Sequence, residues 1–99
     1  MHGPKLKYRY DHYTWPEMRE LVARQPVCII PIGSVEDHGP HLPLDVDNFL
    51  IGTMCEEVAR RLPDEVVLLP PIPYGFEDHH MSFPGTITVK PEHLEAFVL

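Results

Sequence analysis

The chain has 99 residues, 43% of them hydrophobic, and a formal net charge of −7 at pH 7. That is one small domain of ordinary globular composition, with no room for a second. The acidic balance excludes recognition of a nucleic-acid backbone, which needs a basic face, and no apolar run approaches the roughly 20 residues required to cross a membrane.

The N-terminus, residues 1–7, lacks the apolar core of a signal peptide. Cys28 and Cys55 each lie in an apolar run, where buried free thiols are expected, and no disulfide framework is visible. Both features indicate a cytoplasmic protein. Thr14-Trp15-Pro16-Glu17 opens a helix: Thr14 caps, Glu17 reciprocates as a capping box, and Pro16 is tolerated in the first turn. This helix is expected to reach about Arg24 and to bury Met18, Leu21 and Val22. Val27 to Ile32 is almost wholly apolar and predicts a strand covered on both faces, as in a parallel sheet, with Pro31 at its end or edge.

A proline-braced acidic loop follows, from Gly33 to Asp47. A second helix is predicted from Asp47 to about Leu62, with Leu50, Met54 and Val58 as its apolar stripe and Ile51, Cys55 and Leu62 beside it. Val66 to Leu69 is a strand, Pro70 to Pro84 a Pro- and Gly-rich loop, and Thr86 to Val89 a strand by its β-branched bias. Pro91-Glu92 opens a last helix, and the chain stops inside that apolar-periodic segment. This end is expected of a piece of a longer protein, or of one chain of a split one. The alternation predicts an α/β fold with a largely parallel sheet, whose ligands gather beyond the carboxyl ends of the strands. Both His-bearing loops start there and are expected to face one crevice.

The acidic loop holds Glu36, Asp37, Asp45 and Asp47 with His38 and His41, and no Lys or Arg occurs between Arg24 and Arg60. A solvated acidic surface is the ordinary meaning of such a charge run, but concentration with His and Pro in one loop favours a cation site. Glu36 and His38, two apart, project to the same side of an extended segment. Asp47, at a helix start, can offer one oxygen to each of two ions, although it serves equally as an N-cap. Mixed nitrogen and oxygen donors suit Zn²⁺ or Mn²⁺ better than Ca²⁺ or Mg²⁺. His41 and Asp45 read as loop-stabilising groups. The second loop is a candidate substrate wall, where His79 and His80 read as ligands, acid/base groups or plain loop histidines. A serine nucleophile at Ser34 has weak support and nucleotide binding none.

Gly33-Ser34-x-Glu36-x-His38-Gly39-Pro40-His41-Leu42-Pro43-Leu44-x-x-Asp47 closely resembles the signature of the creatininase family of metal-dependent amidohydrolases. Tyr74-Gly75 with His80-x-x-Phe83-Pro84-Gly85-Thr86-Ile87 is similar to that family's second signature. The resemblance implies an α/β fold with a central, mostly parallel sheet flanked by helices, incomplete here, so that residues 1–99 form the N-terminal portion of a single domain. It implies a binuclear Zn²⁺ or Mn²⁺ site with Glu36 on one metal, His38 on the other and Asp47 bridging. It implies C–N bond hydrolysis of a cyclic amide or formamide through a metal-activated water, with His80 and Ser82 as substrate-side candidates. The further metal ligands and the acid/base residues of the family lie beyond this sequence, so no residue here takes those catalytic roles. The partners implied are a small-molecule amide, further copies of the chain in a homo-oligomer, often a hexamer, and a partner chain if one supplies the missing half. A non-catalytic metal-binding subunit that needs such a partner is the alternative.

Overall fold

The computed structural model describes residues 7–99; the leader reading made at the N-terminus falls largely on residues 1–6, outside the described residues. The architecture is α/β, with three helices and a two-stranded parallel sheet. Two compact units make it up: the described residues up to Pro31 with Thr53–Pro70, and Ile32–Gly52 with Pro71–Leu99.

In the first unit, helix α1 (Trp15–Ala23) starts on the expected capping box. Thr14 Oγ1 accepts from the Glu17 amide at 3.4 Å, and Glu17 Oε1 accepts from the Thr14 amide at 2.9 Å. The Lys7 ammonium, 2.6 Å from Glu17, and then the Thr14 donors hold the Glu17 carboxyl down to about 2. Leu21 is buried, but Met18 is only half-buried and Val22 lies in solvent. The inward stripe is therefore narrower than the spacing predicts.

Strands β1 (Val27–Ile29) and β2 (Val66–Leu68) pair in parallel, Val27 opposite Val66 and Ile29 opposite Leu68. The expectation that the Val27 segment is covered on both faces is overturned. β2 is buried along its length, whereas Val27 and Cys28 are exposed. Pairing explains the reversal. β2 has β1 on one side and the Arg9 bridge on the other, with the Leu68 amide donating to Tyr8 O at 2.7 Å, so β2 holds the inner position. The buried-thiol expectation fails with it: Cys28 is exposed and Cys55 half-buried, both free.

Helix α2 (Val46–Arg61) matches its predicted span. Its stripe is shifted. Leu50, Met54, Val58 and Leu62 are exposed, while Ala59 is buried and Ile51 and Cys55 are half-buried. Apolar residues occur on two neighbouring rows of this helix, so periodicity alone does not select the inward one. In the first unit Ala59, Val66 and Leu68 form the core, flanked by Tyr8, Ile29 and Cys55.

In the second unit the two loops start side by side, joined by a parallel bridge between Ile32 and Ile72, with the Gly33 amide donating to Ile72 O at 2.9 Å. The expected strand at Thr86 to Val89 is instead two isolated bridges, Ile87 antiparallel to Val35 and Thr88 parallel to Gly75. Successive residues pair with different segments, so no ladder propagates. The bridges tie the acidic loop and the His-rich loop to one segment. Helix α3 (Pro91–Val98) follows.

Candidate metal centre

The acidic loop turns back on itself, the Glu36 amide donating to Leu44 O at 3.4 Å, with Gly39 at φ 75° in between. Asp47 then falls in the first turn of α2, where the exposed amides of a helix start favour negative charge. Its carboxylate faces the loop rather than the helix: Ser34 Oγ donates to Asp47 Oδ2 at 2.6 Å, and His38 Nε2 lies 3.3 Å from the same oxygen. His38 Nε2 is also 3.6 Å from Glu36 Oε1. Glu36, His38 and Asp47 offer one donor atom each within 4.8 Å of one another.

The second loop reaches the same carboxylate. A 3₁₀ turn, Asp78–His80, follows Glu77. The Glu77 amide donates to Thr88 Oγ1 at 2.8 Å, and Thr88 Oγ1 donates to Asp78 at 3.1 Å. His80 Nδ1 lies 2.6 Å from Asp37 Oδ1, and its Nε2 lies 3.5 Å from Glu36 Oε2. Glu36, Glu77, His79 and His80 form a second set of donors within 4.8 Å, sharing Glu36 with the first. His79 contributes least, its Nε2 at 3.9 Å from Glu77 and its ring largely in solvent.

The electrostatics follow from this crowding. The Glu77 carboxylate first, then that of Asp47 and burial, push Glu36 up to about 8. The Ser34 hydroxyl first, then Glu36 and His38, hold Asp47 below its ordinary value. No Lys or Arg occurs between Arg24 and Arg60 or between Arg61 and Lys90. A protonated Glu36 is what such a cluster adopts when a proton is the only cation at hand. Two imidazoles among three half-buried or buried carboxylates are donors that fit a divalent ion of the Zn²⁺ or Mn²⁺ type.

Of the residues singled out in the sequence, Glu36, His38, Asp47 and His80 come together. Ser82 is exposed two positions further on, and His41 and Asp45 stay in solvent outside both donor sets. Sequence reasoning missed Ser34 as a donor to Asp47, Asp37 as the partner of His80, and Glu77 against Glu36. The Asp37–His80 pair is separated by 43 residues, and no local spacing signals it.

The family model described as creatinine amidohydrolase, of the creatininase family, matches residues 11–99. A mycofactocin precursor peptide peptidase from Mycolicibacterium smegmatis is 36% identical over 82% of this chain and 34% of its own. A 3-dehydro-scyllo-inosose hydrolase from Thermotoga maritima is 41% identical over 84% of this chain and 26% of its own. A solved manganese creatininase superposes with a TM-score of 0.83 at 28% identity, covering 93% of this chain and 37% of its own; a Zn-Zn form does so at 0.81. The chain thus spans about a third of the length of the curated relatives it matches.

Proposed function

The chain belongs to the creatininase family, and from that premise we propose that it is the N-terminal portion of one α/β domain of a metal-dependent amidohydrolase. The reading rests on one observation above the rest. Glu36, His38 and Asp47 bring donor atoms within 4.8 Å of one another, in a stretch with no Lys or Arg to neutralise the carboxylates. We assign Glu36 and His38 to separate ions and Asp47 to the bridge, with Zn²⁺ or Mn²⁺ as the metals. A divalent ion so held would polarise the scissile carbonyl and lower the pKa of water.

The chain's own residues supply position and charge. Ser34 holds one oxygen of Asp47, which fixes the carboxylate's rotation. Helix α2 sets the height of that carboxylate. Glu36 would give up its proton to hold a cation, which would tie metal uptake to pH. Ser82, exposed on the His-rich loop, and the exposed edge of the His80 ring face the substrate side in this reading. The substrate is an amide, as the description creatinine amidohydrolase and the peptidase relative support; the inosose hydrolase supports only the wider class of hydrolysis. The complete protein works as a homo-oligomer in the cytoplasm, the latter supported by the two unpaired cysteines.

Elemental analysis of protein purified without chelator tests this. Bound zinc or manganese, lost as a whole in Asp47→Ala, is the expected result. No bound metal in the native chain overturns the reading, and loss of a single metal in Asp47→Ala overturns the bridge.

A further inference from the structure

Glu36 divides its two oxygens. Oε1 faces His38 Nε2 at 3.6 Å, on the side of Asp47, and Oε2 faces His80 Nε2 at 3.5 Å. His80 is not free to turn away, because its Nδ1 is bound to Asp37 at 2.6 Å and its ring stands 4.2 Å, centroid to centroid, from that of His79. Asp37 itself is the residue next to Glu36, so the anchor and the anchored carboxylate share one loop. The ring is 31% exposed and Asp37 19%, so both sit largely out of water.

We propose that His80, locked by Asp37, is a positioning residue that holds Glu36 Oε2 and leaves Oε1 alone to meet the ion. This rests on the metal reading above and deepens it. A carboxylate that presents one oxygen makes a tighter, better-defined ligand than one that swings between one- and two-oxygen contact, and partners behind a ligand usually set this. The pairing joins the two loops across the centre, which makes the His-rich loop part of the metal site rather than only a wall beside it. It also gives Asp37 a purpose that the acidic loop alone does not reveal.

The test is a cobalt(II) titration followed by visible absorption, on the native chain and on Glu36→Gln, His80→Gln, Asp37→Asn and Asp37→Glu. Melting of each metal-free variant checks its fold. His80→Gln and Asp37→Asn are expected to weaken cobalt binding about 10- to 100-fold. They are also expected to dim the visible bands, as Glu36 adds its second oxygen and raises the coordination number. Asp37→Glu is expected to recover both affinity and spectrum, which a general loosening of the loop would not do. Cobalt binding by the native chain that is unchanged in affinity and spectrum in His80→Gln and Asp37→Asn overturns the positioning role and leaves the metal reading standing. Cobalt binding unchanged in stoichiometry and spectrum in Glu36→Gln, or its absence from the native chain, overturns the metal reading and this inference with it.

Discussion

Glu36 couples the metal-free chain to pH. Its carboxyl is ordinary at 4.5 when unfolded and is pushed up to about 8 in the fold. The folded state therefore binds the extra proton between those values, so its stabilisation is full below pH 4.5 and is lost as pH rises through about 8. Glu36→Gln should flatten the fall in melting temperature across that window; a fall equally steep in the variant would show another group responsible. Metal uptake at pH 7 should in turn release a proton to the buffer, measurable by calorimetry in buffers of different ionisation enthalpy. Ser34 acts on the other carboxylate: Ser34→Ala removes the 2.6 Å bond to Asp47 and should weaken cobalt binding about tenfold. Gly33 is constrained by space. A Cβ there would lie 1.9 Å from Asn48 Oδ1 and 3.2 Å from Asn48 Cα, and Asn48 is itself tied to Pro73 O at 3.1 Å. Gly33→Ala should therefore cost about 1–3 kcal/mol, read as a drop in urea midpoint.

The helices show where local chemistry decides and where it does not. α1 begins where Thr14 and Glu17 can satisfy its first amides, and this is a short-range matter fully written in four residues. Thr14→Ala should lower stability by about 1 kcal/mol, with circular dichroism reporting the loss. Glu17, held down to about 2 from 4.5, stabilises the fold above pH 4.5, and this contribution disappears as pH falls towards 2; Lys7→Met should shrink that acid dependence. The bounds of α2 were legible as well. Its buried face was not, because Leu50–Met54–Val58 and Ile51–Cys55–Ala59 are both apolar rows, and only the packing of Val66 and Leu68 against Ala59 selects the second. The order of β1 and β2 was likewise hidden: both segments are apolar, and the position of the Arg9 segment decides which is inner.

For the molecule as a whole, the selection of one row of α2 leaves the other in solvent, with Leu50 58% and Met54 66% exposed. Phe97 on α3 is 74% exposed beside an apolar groove of about 470 Å³ lined by Ile72, Tyr74 and Leu94. Surfaces of this kind associate in water. The isolated chain is expected to self-associate with rising concentration, and Leu50→Lys with Met54→Lys to shift sedimentation towards monomer; an unchanged distribution would exonerate this row. The sequence by itself determined the α/β class, the cap of α1 and the motif that carries the candidate metal ligands. Each of these is written in contiguous residues: Glu36, His38 and Asp47 lie within one loop and the first turn after it. Tertiary structure alone decided that Glu77 crowds Glu36, that Asp37 anchors His80, and which helix row and which strand are buried. Those outcomes depend on contacts between segments far apart in the chain, which leave no period or spacing in the sequence, because chain closure, not local geometry, brings them together.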